Sequence, residues 1–61
     1  MARPGLHAWL EPGVFVRHPR EPDWGVGQVQ SVDADRVTVS FEHAGKVVIN
    51  VAVVTLEPAQ D

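Results

Sequence analysis

Sixty-one residues without a cysteine allow one small domain, and they exclude a disulfide framework and a thiolate metal site. The formal net charge is −3 and the five cations are scattered. Nucleic-acid binding is therefore disfavoured, because it needs clustered Lys and Arg to displace counterions from phosphates.

A chain this short buries only roughly 60% of its unfolded surface, so its core is one thin layer of β-branched and aromatic side chains. The acidity is uneven: residues 1–30 balance, and residues 31–61 carry the whole excess. The N-terminal MARPGLHAWLEPG holds no continuous apolar segment of the kind a signal peptide needs. The longest uncharged stretch, Val47 to Leu56, is ten residues and includes Asn50 and Thr55, too short to span a bilayer. A cytoplasmic protein is expected.

Residues 1–11 contain Pro4 and Gly5 and read as an irregular arm, in which Leu6, Trp9 and Leu10 are spaced to dock as one helical turn. Pro12-Gly13 marks a turn, and Gly13 to His18 follows as a first strand that Pro19 ends. Pro19 to Asp23 is a loop. A second strand is predicted from Trp24 to Val32, with Phe15 of the first strand and Phe41 of the third in the core. The apolar parity changes between Val26 and Val29, which predicts a bulge or bend near Gly27.

Asp33-Ala34-Asp35 is a polar hairpin loop leading to Arg36–Glu42, where Val37, Val39 and Phe41 alternate with polar residues. That period of two is the mark of a strand with one buried face. Glu42 to Lys46 is a tight turn with Gly45 at its left-handed position. Lys46 to Asn50 returns as a fourth strand with Val47 and Ile49 on one face. Val51 to Val54 reads as a single 3-10-like turn. Thr55 to Glu57 is a short fifth strand stopped by Pro58, and residues 59–61 are a tail. Val47 to Leu56 is β-branched, uncharged and free of proline, so it must be paired and covered. The expected fold is all-β, a closed five-stranded SH3-like (Tudor-like) barrel over residues 12–58.

The order of residues in Pro12–Pro19, Asp23-Trp24-Gly25-Val26-Gly27-Gln28-Val29, Val37–Phe41, Gly45-Lys46-Val47 and Leu56-Glu57 resembles a family of very short bacterial proteins of unknown function. The likeness covers about residues 12–58. More distantly it is similar to the Tudor-like domain at the C-terminus of bacterial repair helicases. It is similar, too, to the RNA-polymerase-interacting domains of CarD-type regulators and transcription–repair coupling factors. Those relatives use the barrel to bind RNA polymerase. By analogy the resemblance implies a non-catalytic protein-interaction module that docks on RNA polymerase or the DNA-repair machinery.

Trp24 is the candidate anchor of such a surface, with Arg17, His18, Arg36, Glu42 and Lys46 around it. The bland alternative is a tryptophan that caps the barrel end, with a solvated face of charges beside it. A second reading is weak nucleic-acid binding through Arg17, Arg20, Arg36 and Lys46. A third is a small self-associating structural protein, monomer or weak dimer, that hides Val47–Leu56. Gly25-Val26-Gly27 lacks the third glycine and the helix of a dinucleotide loop, and Gly45-Lys46 lacks the first glycine and the hydroxyl of a phosphate loop. His7, His18 and His43 fit no metal spacing, and Ser31, Thr38, Ser40 and Thr55 sit in no nucleophile motif. With only Trp9, Phe15, Trp24 and Phe41 as rings, a methyl-lysine cage is disfavoured. No cofactor, metal or catalytic residue is expected.

Overall fold

Alternation in residues 36–41 produces the central hairpins. In the computed structural model, which describes residues 8–59, these residues form β3 (Arg36–Phe41), with Val37, Val39 and Phe41 buried and Arg36 and Ser40 exposed. Leu6 of the N-terminal arm, and Gln60 and Asp61 of the tail, lie outside the described residues. β3 pairs antiparallel with β2 (Gly27–Asp33) on one side and β4 (Gly45–Asn50) on the other. Gly45, at φ +73°, takes the left-handed turn position expected of it. β1 (Phe15–Arg17) joins β2, and β5 (Glu57–Pro58) returns to lie beside β1. The result is a five-stranded antiparallel sheet in the order β4-β3-β2-β1-β5.

β2 does contain a bulge, but not near Gly27 as the sequence suggests: Gly27 to Val29 pair in regular register, and Val26 lies before the strand. Val29 faces Val39, then Gln30 is extra, and Ser31 faces Thr38. This bulge turns Val32 toward Val37, on the inner face. Gly27 lies within the ladder, opposite Phe41 and Val16.

Trp24 is not in a strand. Pro22, Asp23 and Trp24 form a 3-10 helix, closed by Trp24 N–H donating to the Glu21 carbonyl at 3.0 Å and Gly25 N–H donating to the Pro22 carbonyl at 3.3 Å. Pro22 favours this turn because its fixed φ suits the first helical position and its missing N–H is not needed there. Gly25 then reverses the chain at φ +77° and ψ −162°, a region open only to glycine.

Among the described residues, nine apolar ones form the core: Leu10, Val16, Val29, Val37, Val39, Phe41, Ile49, Val51 and Leu56. Leu10 is 4% exposed and Trp9 packs against the core beside it, so both docking residues of the arm that lie among the described residues are in place. Phe15 is not in the core and is 50% exposed. The strand's parity decides this: Val16 points in, so its neighbour Phe15 points out, opposite Gln28.

The predicted closure does not occur as a ladder, since β4 and β5 are the two free edges. β5 is too short to close the sheet, and it contains Pro58 rather than stopping before it. Ala59 N–H donates to the Phe15 carbonyl at 2.9 Å, so residue 58 has its nitrogen turned away from β1. A proline is tolerated there because no ladder donor is lost. After β4, Val53 and Val54 amides donate to the Asn50 carbonyl at 3.1 and 3.0 Å, the single turn expected at Val51–Val54.

Candidate functional site

The residues around Trp24 meet at one end of the sheet. His18 follows β1 directly and is 8% exposed, with Nδ1 accepting the Arg20 N–H at 3.2 Å. Its ring meets Trp24 edge-on, with centroids 5.0 Å apart and planes at 69°. Phe41 also packs against Trp24, with centroids 5.1 Å apart and planes at 60°. Such edge and tilted contacts align ring edges with π-faces and add to the area buried. Trp24 is half-buried, so it seals the core at this end and presents a remainder to solvent. His18 offers a partner little surface and packs against Trp24 instead.

The start of β2 is fixed here by Glu42. Glu42 N–H donates to the Val26 carbonyl at 3.0 Å, and Val26 N–H donates to Glu42 Oε1 at 2.8 Å. The carboxylate thus replaces a backbone acceptor where β3 ends. Trp24 is tied to the same corner, its carbonyl accepting the His43 N–H at 3.0 Å. Removing the Glu42 acceptor leaves the Val26 amide to water. Glu42→Ala is expected to lower stability by about 1 kcal/mol in urea unfolding, and Glu42→Gln by clearly less because its carbonyl still accepts. Equal losses would show that charge, not this bond, is the contribution.

Beside this corner, on the outer face, lies an open groove of about 250 Å³ lined by Phe15, Val26, Gly27, Gln28, Ser40, Phe41 and Glu42. Phe15, Gln28, Ser40 and Lys46 stand in one cross-strand row, since each faces the next in register. The exposed Phe15 ring is the wall of the groove that sequence parity alone points to. Counting inward from Val16 assigns it outward, but its aromatic character argued for the core.

The charged candidates divide. Arg17, Arg36, Glu42 and Lys46 are all exposed. Arg17 faces Glu57 across β1 and β5, and Arg36 faces Asp33 across β2 and β3. Arg36 starts β3 while Glu42 follows its end, so at about 3.3 Å per residue they are roughly 20 Å apart. Arg36 instead borders a polar recess of about 410 Å³ formed with Asp33, Ala34, Asp35 and Asn50 at the far end. Arg17 and Lys46 are three strand spacings apart and two residues out of row, roughly 16 Å along the sheet. Arg20 lies in the exposed loop before the 3-10 helix. The structure gathers Arg17, His18, Trp24 and Glu42 at one end, sets Lys46 across the outer face, and separates Arg36 from all of them.

The family described as Protein of unknown function (DUF3553) has a model that matches residues 10–59. The chain belongs to this family. No curated protein and no solved structure matches it. Among the described residues, the match runs from Leu10, the first fully buried one, to Ala59, whose N–H bonds the Phe15 carbonyl. Among the described residues, no three His, Asp or Glu side chains form a metal-ligating group, and no helix is long and apolar enough to cross a membrane.

Proposed function

We propose that this member of the family is a non-catalytic protein-interaction module, a sheet curled into a small SH3-like, Tudor-like barrel that docks on RNA polymerase or the DNA-repair machinery of a bacterial cytoplasm. The barrel-like curl is supported by three features. β5 returns beside β1, the Gln30 bulge bends β2, and among the described residues no second layer covers nine buried side chains.

The observation that carries the docking role is the half-exposed Phe15 ring over the groove between Val26 and Phe41. Large aromatic side chains held rigidly at a surface are what protein interfaces use as anchors. Trp24 backs the groove from inside through Phe41, rather than serving as the exposed anchor itself. The electrostatics favour a protein over a nucleic acid. Arg17 and Arg36 each stand opposite a carboxylate, so they do not add up to a phosphate-binding stripe.

The test uses labelled chain titrated with purified bacterial RNA polymerase and, separately, with a repair helicase, followed by fluorescence anisotropy. Native protein is expected to bind one of them, and Phe15→Ser to weaken binding about tenfold or more. Because Phe15 is on the outer face, the variant is expected to keep its stability within about 1 kcal/mol, which circular dichroism checks. Failure of native protein to bind either partner would sink the docking role. Binding to duplex DNA that collapses with salt would favour nucleic acid instead.

A further inference from the structure

The two edges of the sheet are not equivalent. β5 is two residues long, and the Pro58 nitrogen on its free side carries no hydrogen. It is closed to further pairing. β4 is six residues long, contains no proline, and no described strand pairs with its outer side. The phase of its ladder follows from one bond, the Val51 amide donating to the Asp35 carbonyl at 2.8 Å. By alternation Val47 and Ile49 bond β3, while Lys46 and Val48 aim N–H and C=O away from the sheet. The Asn50 carbonyl also turns outward, but the Val53 and Val54 amides occupy it. Among the described residues, nothing answers the four outward backbone groups of Lys46 and Val48, and the Val48 side chain is 60% exposed. An edge of this kind is a template for another strand.

We propose that β4 pairs antiparallel with β4 of a second copy about a two-fold axis at Val47, which joins two five-stranded sheets into one continuous sheet. The free groups select this register. Lys46 of each copy faces Val48 of the other, and all of their outward N–H and C=O groups are bonded. A register centred on Val48 would instead direct the Lys46 N–H at the occupied Asn50 carbonyl. At the axis the two half-buried Val47 side chains form a non-hydrogen-bonded pair with β-carbons about 4.5–5.5 Å apart, and this extends the apolar inner face. On the outer face the methylene stem of Lys46 lies over Val48 of the other copy. The surface is separate from the Phe15 groove, so docking and self-pairing stand or fall independently.

Sedimentation velocity from micromolar to millimolar chain concentration tests the proposal. Native protein is expected to shift from monomer to dimer. Val48→Pro removes one outward donor without touching the β3 ladder, and it is expected to stay monomeric with a native circular dichroism spectrum. Val48→Lys carries the same test should the proline variant not fold. It sets a cation opposite Lys46 of the second copy and is expected to raise the dissociation constant about tenfold, and adding Lys46→Glu is expected to restore dimers. A native protein that is monomeric throughout would overturn the proposal and leave β4 free for a strand of another protein. A folded Val48→Pro variant that still dimerises, or a charge swap that restores nothing, would overturn it equally.

Discussion

Phe41→Ala is expected to remove most of the protein's stability at room temperature. Phe41 is 3% exposed and links three parts of the structure. It packs against Trp24 at 5.1 Å, it ends the inner row of β3, and its ring fills the space above Gly27. Phe→Ala in a core costs about 3–5 kcal/mol, the lost transfer energy plus the cavity left behind. A folded unit of this size has a total stability of only about 3–8 kcal/mol at the usual ~0.05–0.15 kcal/mol per residue. One side chain thus accounts for most of the margin. The cavity is hard to collapse, because the rest of the core interior is built from short side chains: Val16, Val29, Val37 and Val39 are all fully buried already. Urea unfolding followed by far-ultraviolet circular dichroism reads the effect, with Phe41→Leu as the milder comparison. A cooperative transition within about 1 kcal/mol of native protein would mean that Phe41 is not the hub of this core.

The same hub explains which parts of the fold the sequence discloses. Val37, Val39 and Phe41 alternate cleanly because β3 is central and has one buried face, so both its limits and its orientation are legible. The turn at Gly45 is legible for a local reason, since few other residues accept φ +73°. Elsewhere local and long-range terms compete. Trp24 has high strand propensity, yet Pro22 two residues earlier starts a 3-10 turn whose hydrogen bonds are local. Pro58 should end a strand, but which side of β5 faces β1 depends on pairing with residues more than forty positions away. Phe15 is the clearest case, because hydrophobicity says core and parity says surface. A neighbour buried completely at Val16 lets parity win.

At the site the outward direction of Arg17, Arg36, Glu42 and Lys46 is legible from alternation, and their exposure agrees. Their grouping is not. Arg36 and Glu42 flank the same strand, so the strand's rise alone sets them at opposite ends of the sheet. Where Arg17 stands relative to Lys46 depends on strand order, which no local pattern encodes. The Glu42 bond to the Val26 amide joins residues sixteen positions apart and likewise has no local signature.

Gly27→Ala is expected to destabilise the protein by about 1–3 kcal/mol, through sterics alone. The backbone at Gly27 is ordinary strand, unlike that of Gly25, so no left-handed conformation is at stake. A β-carbon there would overlap Val39 Cγ1 and stand 2.7 and 2.8 Å from Phe41 Cδ1 and Cε1. Neither neighbour has anywhere to go. Val39 is fully buried and β-branched, with few rotamers open to it, and Phe41 is held by Trp24. The strands must separate or Phe41 must tilt, and either change opens the corner where the groove lies. A double-mutant cycle with Val39→Ala isolates the contact, because that variant removes Cγ1 and makes room for the new methyl. Urea unfolding in sulfate, which strengthens burial and keeps weak variants folded, is expected to give a favourable coupling of about 0.5–3 kcal/mol. Strictly additive losses would show that the new methyl is accommodated by movement elsewhere, and that Gly27 is present for some reason other than the close approach of β3.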